Sequence, residues 1–152
     1  MRRKDKQIED KNEIEAIICE AKILRIALAY DNKPYIVPMC FGYDGNNFFV
    51  HGALKGKKIV ILQNNPNISF ELETDTEIVM EEKPCDWGMR FKSIIGFGKG
   101  YILENFDEKK IALDIIMGQY SDKDFEFSEA SINSTAVIKI EIENMTGKKS
   151  GY

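Results

Sequence analysis

Ile94-Ile95-Gly96-Phe97-Gly98-Lys99-Gly100-Tyr101-Ile102-Leu103 is the stretch on which the fold of this chain turns. Its apolar and aromatic content reads as a strand, and its glycines fall on every second position. One face of that strand is therefore bare of side chains over three successive steps. A bare face lets something pack closely, and bulges or the tight curvature of a small barrel account for it. As a dinucleotide fingerprint the run fails the GxGxxG spacing and lies in a strand-rich context, so that reading is rejected.

Strand signals continue on either side. Ile68-Ser69-Phe70-Glu71-Leu72-Glu73 alternates cleanly, with Ile68, Phe70 and Leu72 inward. Thr76 to Met80 continues it or forms an adjoining edge, and Thr135 to Ile142 alternates as a final strand. Upstream, Leu24 to Tyr30 and Tyr35 to Phe41 flank Asp31-Asn32-Lys33-Pro34, which reads as a hairpin turn. A second turn, Tyr43 to Asn47, leads into Phe48 to His51, so the first three strands are expected to form a meander. Helices are expected after Asp10, with Ile14, Ile17, Ile18 and Ala21 on one face, from about Lys55 to Asn64, and from Asp107 to Gly118. Met1 to Ile8 reads as a charged arm, and Met145 to Tyr152 as a tail without an obvious core. About six strands with two or three helices predict a small closed or partly open antiparallel barrel.

The candidate site lies at His51-Gly52-Ala53-Leu54-Lys55-Gly56-Lys57-Lys58, which holds the single histidine. A strand feeds a small-residue turn, and the turn opens a helix whose first turn carries lysines, although lysine suits the last turn better. Free N–H groups beside ammonium groups form a phosphate site, and Gly52, Ala53 and Gly56 let the anion approach the backbone. This is not the P-loop spacing.

Composition narrows the function classes. The chain has 152 residues, 43% hydrophobic and 30% charged, which predicts one domain over residues 1–152. A net charge of −4 argues against a nucleic-acid surface. Cys19, Cys40 and Cys85 are odd in number and widely spaced, so neither a disulfide framework nor a metal site is expected, and a cytoplasmic location fits. No apolar run approaches bilayer-spanning length, so no membrane partner is expected.

The order of several motifs resembles one family. Pro34-Tyr35-Ile36-Val37-Pro38 with Phe41-Gly42-Tyr43, His51-Gly52-Ala53 with Gly56-Lys57-Lys58, Asn65-Pro66, Cys85-Asp86-Trp87 and Ser93-Ile94-Ile95-Gly96-Phe97-Gly98 follow one another as in nitroimidazole-resistance proteins. These are similar to pyridoxamine 5′-phosphate oxidase-like flavoproteins. The resemblance runs from about Arg3 to Gly147-Lys148 and implies a mainly β fold, an antiparallel split β-barrel that binds FMN at the interface of a homodimer. Many relatives read His-Ser-Ala where this chain reads His51-Gly52-Ala53, so a hydroxyl is missing beside the histidine.

The resemblance also implies roles. Lys57 and Lys58 would neutralise the FMN phosphate, which carries about −1.5 to −2 charge as other phosphate monoesters do. Val37-Pro38-Met39-Cys40 would supply an apolar slot and backbone groups for the flavin ring, with Gly52 and Ala53 at the phosphate turn. Trp87, Arg90 and Ser93 are candidates for the partner subunit's contribution. His51 would face the substrate side, holding a carboxylate or nitro group or delivering a proton. The leading expectation is an FMN-dependent oxidoreductase acting on a small planar acceptor such as a nitroaromatic. The alternatives are a pyridoxamine 5′-phosphate oxidase-like enzyme and a flavin- or haem-binding protein without turnover.

Overall fold

The computed structural model describes residues 3–152, so the first two residues of the expected arm lie outside the described residues. In chain order the elements are β1 (Gln7–Ile8), α1 (Lys11–Glu20), β2 (Leu24–Tyr30), β3 (Lys33–Met39), β4 (Phe41–Tyr43), β5 (Asn47–Ala53) and α2 (Lys57–Asn64). They continue as β6 (Asn67–Val79), β7 (Gly88–Ile102), α3 (Phe106–Gly118), α4 (Glu129–Asn133) and β8 (Thr135–Ser150). All strands pair antiparallel in one sheet of order β3-β2-β6-β7-β8-β5-β4, with β1 added alongside β8.

The ends of this order define the architecture. Edge strands β3 and β4 do not pair, yet Cys40 alone separates them in sequence. Their nearest Cα atoms, those of Met39 and Phe41, therefore lie at most about 7 Å apart, and the sheet must curl until its two edges meet. The result is a barrel split at the β3/β4 corner. The expected meander is corrected in part: β2 and β3 form the predicted hairpin and the second turn joins β4 to β5 as an antiparallel pair, but β5 pairs with β4 and β8 and not with β3. The turn is tighter than expected, because Asp31 and Asn32 alone form it, both at positive φ, as a two-residue hairpin requires.

The bare glycine face points into the barrel. A Cβ on Gly96 would strike the Phe70 ring, one on Gly98 the Glu141 carbonyl, and one on Gly100 the Ile68 and Leu62 side chains. A β-bulge interrupts the β7/β8 register between Phe97 and Gly98, where curvature is greatest. Around this close approach the main core gathers Leu24, Ile26, Phe41, Phe48, Val50, Phe70, Leu72, Ile94, Ile138 and Ile140, with Ile17 and Ile18 of α1 and Ile59, Ile61 and Leu62 of α2. A second core lies on the other face of β5 and β8, where Phe49 and Val137 meet Ala112, Leu113 and Ile116 of α3 and Ile132 of α4. Gly42 is pinned between the cores, since a Cβ there would lie 2.6 Å from the α3 backbone at Ile115.

Several elements run longer than local pattern indicated. Among the described residues there are eight strands rather than about six, and α4 is an addition to the expected helices. The expected tail from Met145 instead continues β8 to Ser150, paired with β7 and with Gln7-Ile8 of the arm. Strand β6 runs on to Val79 through an irregularity at Asp75, which has φ +54, and β7 starts at Gly88, so the two project together as an arm. No helix among the described residues is long and apolar enough to cross a membrane.

Gly98→Ala is expected to destabilise the fold by about 1–3 kcal/mol, because the clashing atom is backbone and cannot swing aside. Urea denaturation followed by tryptophan fluorescence measures it, and an unchanged midpoint contradicts the close-packing account.

Candidate functional site

The split corner brings three chain segments together. Along β3, Tyr35, Val37 and Met39 share the inward face and pack half-buried against the main core, while Pro38 and Cys40 remain exposed. Among the described residues no strand lies beyond β3, so its outer edge has no ladder pairing there. Helix α2 begins over the same row. The Lys57 ammonium rests 4.6 Å from the centre of the Tyr35 ring, and the Lys58 ammonium lies 3.8 Å from the Met39 sulfur.

The start of α2 has the features of an anion site. Its N-cap is Gly56 at φ +139, a conformation that favours glycine, and no side chain caps the helix. The helix begins two residues later than the sequence pattern suggested, because Gly56 sets the break. Among the described residues, neither Lys57 nor Lys58 pairs with a carboxylate, whereas nine other ion pairs occur on the surface. Lys58 folds back onto β5, where its ammonium fills the space that a Cβ on Gly52 would need. The glycine is thus what admits that ammonium to the strand surface. Burial pushes the Lys58 pKa below its ordinary value.

His51 pairs with Val137 at the end of β5, on the strand face opposite Gly52, and its ring stays open to solvent. Partial burial lowers its pKa below the ordinary 6.5, and the positive charge of Lys58 pushes the same way. An imidazole held neutral across the strand from the Lys58 ammonium can accept a proton or a hydrogen bond from an incoming group, and the ammonium attracts that group if it is anionic.

The sequence-level candidates therefore divide. Val37, Pro38, Met39, Cys40, His51, Gly52, Ala53, Lys57 and Lys58 gather around the split corner. Trp87, Arg90 and Ser93 do not join them: they lie on the arm, where the Trp87 indole donates to the Glu81 carbonyl at 2.7 Å and Arg90 pairs with Glu77 at 3.5 Å. Ser93 stands opposite Lys148 on β8, eleven residues from Val137, which is about 36 Å of strand at roughly 3.3 Å per residue. Sequence reasoning also overlooked Tyr35 as a site residue, although its alternation with Val37 and Met39 was the available signal.

A curled antiparallel sheet split at one corner, with a basic helix start at that corner, is the split-barrel class of fold. The chain belongs to the family described as "Pyridoxamine 5'-phosphate oxidase", whose profile matches residues 10–149. It is similar to a candidate 5-nitroimidazole antibiotic resistance protein from Bacteroides thetaiotaomicron, at 35% identity over 94% of this chain and 86% of that one, with a TM-score of 0.84. This bears out the family resemblance read from the motifs. In fold alone it resembles an FAD- and haem-binding protein from Mycobacterium smegmatis, with 18% identity, 97% and 74% coverage and a TM-score of 0.86. It likewise resembles a flavocytochrome from Azotobacter vinelandii, with 16% identity, 100% and 72% coverage and a TM-score of 0.85. A curated relative, an uncharacterised protein of Rhizobium meliloti, is 26% identical over 43% of this chain, and the match spans 43% of that relative.

Because His51 is the single histidine, its ring protons can be followed by NMR without assignment. The midpoint is expected below 6.5, moving up in Lys58→Met as the repulsion is removed. The sign for stability follows: the unfolded chain binds this proton more readily, so the contribution is whole above 6.5 and is lost as the pH falls through the folded value. His51→Gln should lessen the decline of the urea midpoint below pH 6.5, and identical pH profiles would contradict the assignment.

Proposed function

We propose that this chain, as a single domain over residues 1–152, is a cytoplasmic FMN-binding oxidoreductase that works as a homodimer and reduces a small planar acceptor of the nitroaromatic kind. The observation that carries the reading is the pair of lysines at an uncapped helix start with no carboxylate partner among the described residues. An anion of about −1.5 to −2 charge fits such a site. The similarity to the Bacteroides protein supports the choice of acceptor.

Lys57 and Lys58 would hold the phosphate, with Gly52, Ala53 and Gly56 allowing close approach. The free edge of β3 at Val37-Pro38-Met39-Cys40 offers peptide groups to the polar edge of the flavin ring, and Pro38 adds no N–H that would compete for them. When bound, FMN supplies the redox chemistry, and the protein supplies orientation and charge. His51 would hold the acceptor's anionic or nitro group, or deliver a proton to it from the imidazole nitrogen.

The dimer reading has its own support in the sheet. The face of β7 opposite the glycines carries Met89, Phe91, Ser93, Ile95 and Phe97, and the row Ile36, Ala27, Ser69, Phe97 crosses the neighbouring strands. Phe97 is 53% and Ile36 63% exposed, so this face lacks the cover that one side of a sheet normally receives. A second copy laid against it would also carry Trp87, Arg90 and Ser93 toward the other protomer's site.

The freshly purified protein should be yellow, and mass spectrometry of the released cofactor should give FMN. Recovery of FAD, or no flavin after reconstitution, contradicts the reading. Lys58→Ala should raise the FMN Kd by roughly one to two decades. His51→Ala should keep flavin and dimer yet lose about 10²-fold in acceptor reduction. If His51→Ala instead loses flavin while activity per bound flavin stays unchanged, His51 only orders the phosphate turn.

A further inference from the structure

We propose that Lys148 is a cofactor-binding residue that acts in trans, its ammonium meeting the phosphate held by Lys57 and Lys58 of a second copy; this rests on the flavin and dimer readings above. Lys148 stands directly opposite Ser93 in the β7/β8 register, so both side chains lie on the uncovered face that carries Phe91 and Ile95. Its ammonium sits 5.1 Å from the centre of the Phe91 ring. Cations close to it do have polar partners: Lys92 with Asp75 at 2.9 Å, Lys149 with Glu13 at 2.9 Å, Arg90 with Glu77 at 3.5 Å, and Lys6 with the Ser150 hydroxyl at 2.7 Å. Lys148 has none among the described residues.

Covering this face turns that arrangement into a requirement. A second copy laid on the apolar stripe removes water from an ammonium that no carboxylate among the described residues pairs with, and such burial is costly without an anion at hand. The chain's own basic turn cannot answer the need, because β8 separates Lys148 from Val137, the partner of His51, by eleven residues, or about 36 Å of strand. The anion must come from the other copy. Its phosphate site is suitable: a phosphate monoester carries about −1.5 to −2 charge, and of the two lysines on its own chain, Lys57 already rests on the Tyr35 ring. A third cation completes the neutralisation, with the Ser93 hydroxyl beside it to donate a hydrogen bond.

The test uses Lys148→Met, which keeps an apolar stem on Phe91 while removing the charge, and Lys148→Arg, which keeps the charge. Binding of FMN and of riboflavin, which lacks the phosphate, is measured by flavin fluorescence quenching, with melting temperature and dimer mass recorded on the same samples. Lys148→Met is expected to weaken FMN roughly ten- to a hundredfold and leave riboflavin unchanged, and Lys148→Arg to restore most of the loss. Differently tagged Lys58→Ala and Lys148→Met chains are then paired in one dimer. Action in trans leaves one of its two sites intact, so half the sites should bind FMN at wild-type affinity. No recovery in the mixed dimer, an equal loss for riboflavin, or an unchanged FMN Kd in Lys148→Met overturns the proposal. A monomer that binds flavin overturns the trans assignment alone, and a wild-type chain that binds no flavin overturns the flavin reading and this inference with it.

Discussion

The structure depends on the contact between the backbone of β7 and the side chains that lie against it. With no Cβ at Gly96, Gly98 and Gly100, the Phe70 ring and the Ile68 and Leu62 side chains occupy space that a side-chain-bearing strand would fill. The sheet can therefore curl tightly, and the bulge beside Gly98 adds local twist. Once the curl is that tight, edges β3 and β4 arrive one residue apart at Cys40. The free edge of β3, the end of β5 and the start of α2 then converge without any interaction designed solely for that purpose.

The site set in that frame holds charge that the fold itself does not need. Lys58 lies partly dehydrated against Gly52 and Met39, and partial burial together with the Lys58 charge lowers the proton affinity of His51 on the other face of the strand. Two basic groups placed together oppose folding to a modest degree. The segments Phe48 to Val50 of β5 and Ala136 to Ile138 of β8, buried on both faces, offset that cost, since each fully buried aliphatic or aromatic side chain contributes about 1.5–3 kcal/mol. The same double burial makes β5 a rigid support, so His51 and Gly52 keep their places at its end.

The two faces of β7 divide the molecule's tasks. Its inner face is bare from Gly96 to Gly100 and closes the barrel, while its outer face exposes Met89, Ile95 and Phe97. Alternation alone produces this division, because every residue added between the glycines must point outward. The polar members of that outer face, Ser93 of β7 and Lys148 opposite it on β8, lie far along the sheet from the basic turn of the same chain.

Much of this was legible in residue order. The glycine alternation indicated a tightly curved strand, the alternation of Ile68 to Leu72 located its neighbour, and the small-residue turn with lysines located the basic start of α2. These signals are local: each rests on side-chain period or on the backbone freedom of one or two residues. The false meander shows where local reading stops. Nothing in Tyr35 to Phe41 distinguishes a continuous strand from one broken at Cys40, because the break comes from barrel curvature imposed by β7, more than fifty residues downstream. The tail was misread for the same reason, since Lys148 to Ser150 become strand only by pairing with β7 and β1. Residue types and their spacing thus determined the barrel class and the basic turn. Pairing between distant segments decided which strands are edges, which lysines lack partners and that Trp87, Arg90 and Ser93 stand apart from His51, because register and curvature belong to the whole sheet and to no single stretch of chain.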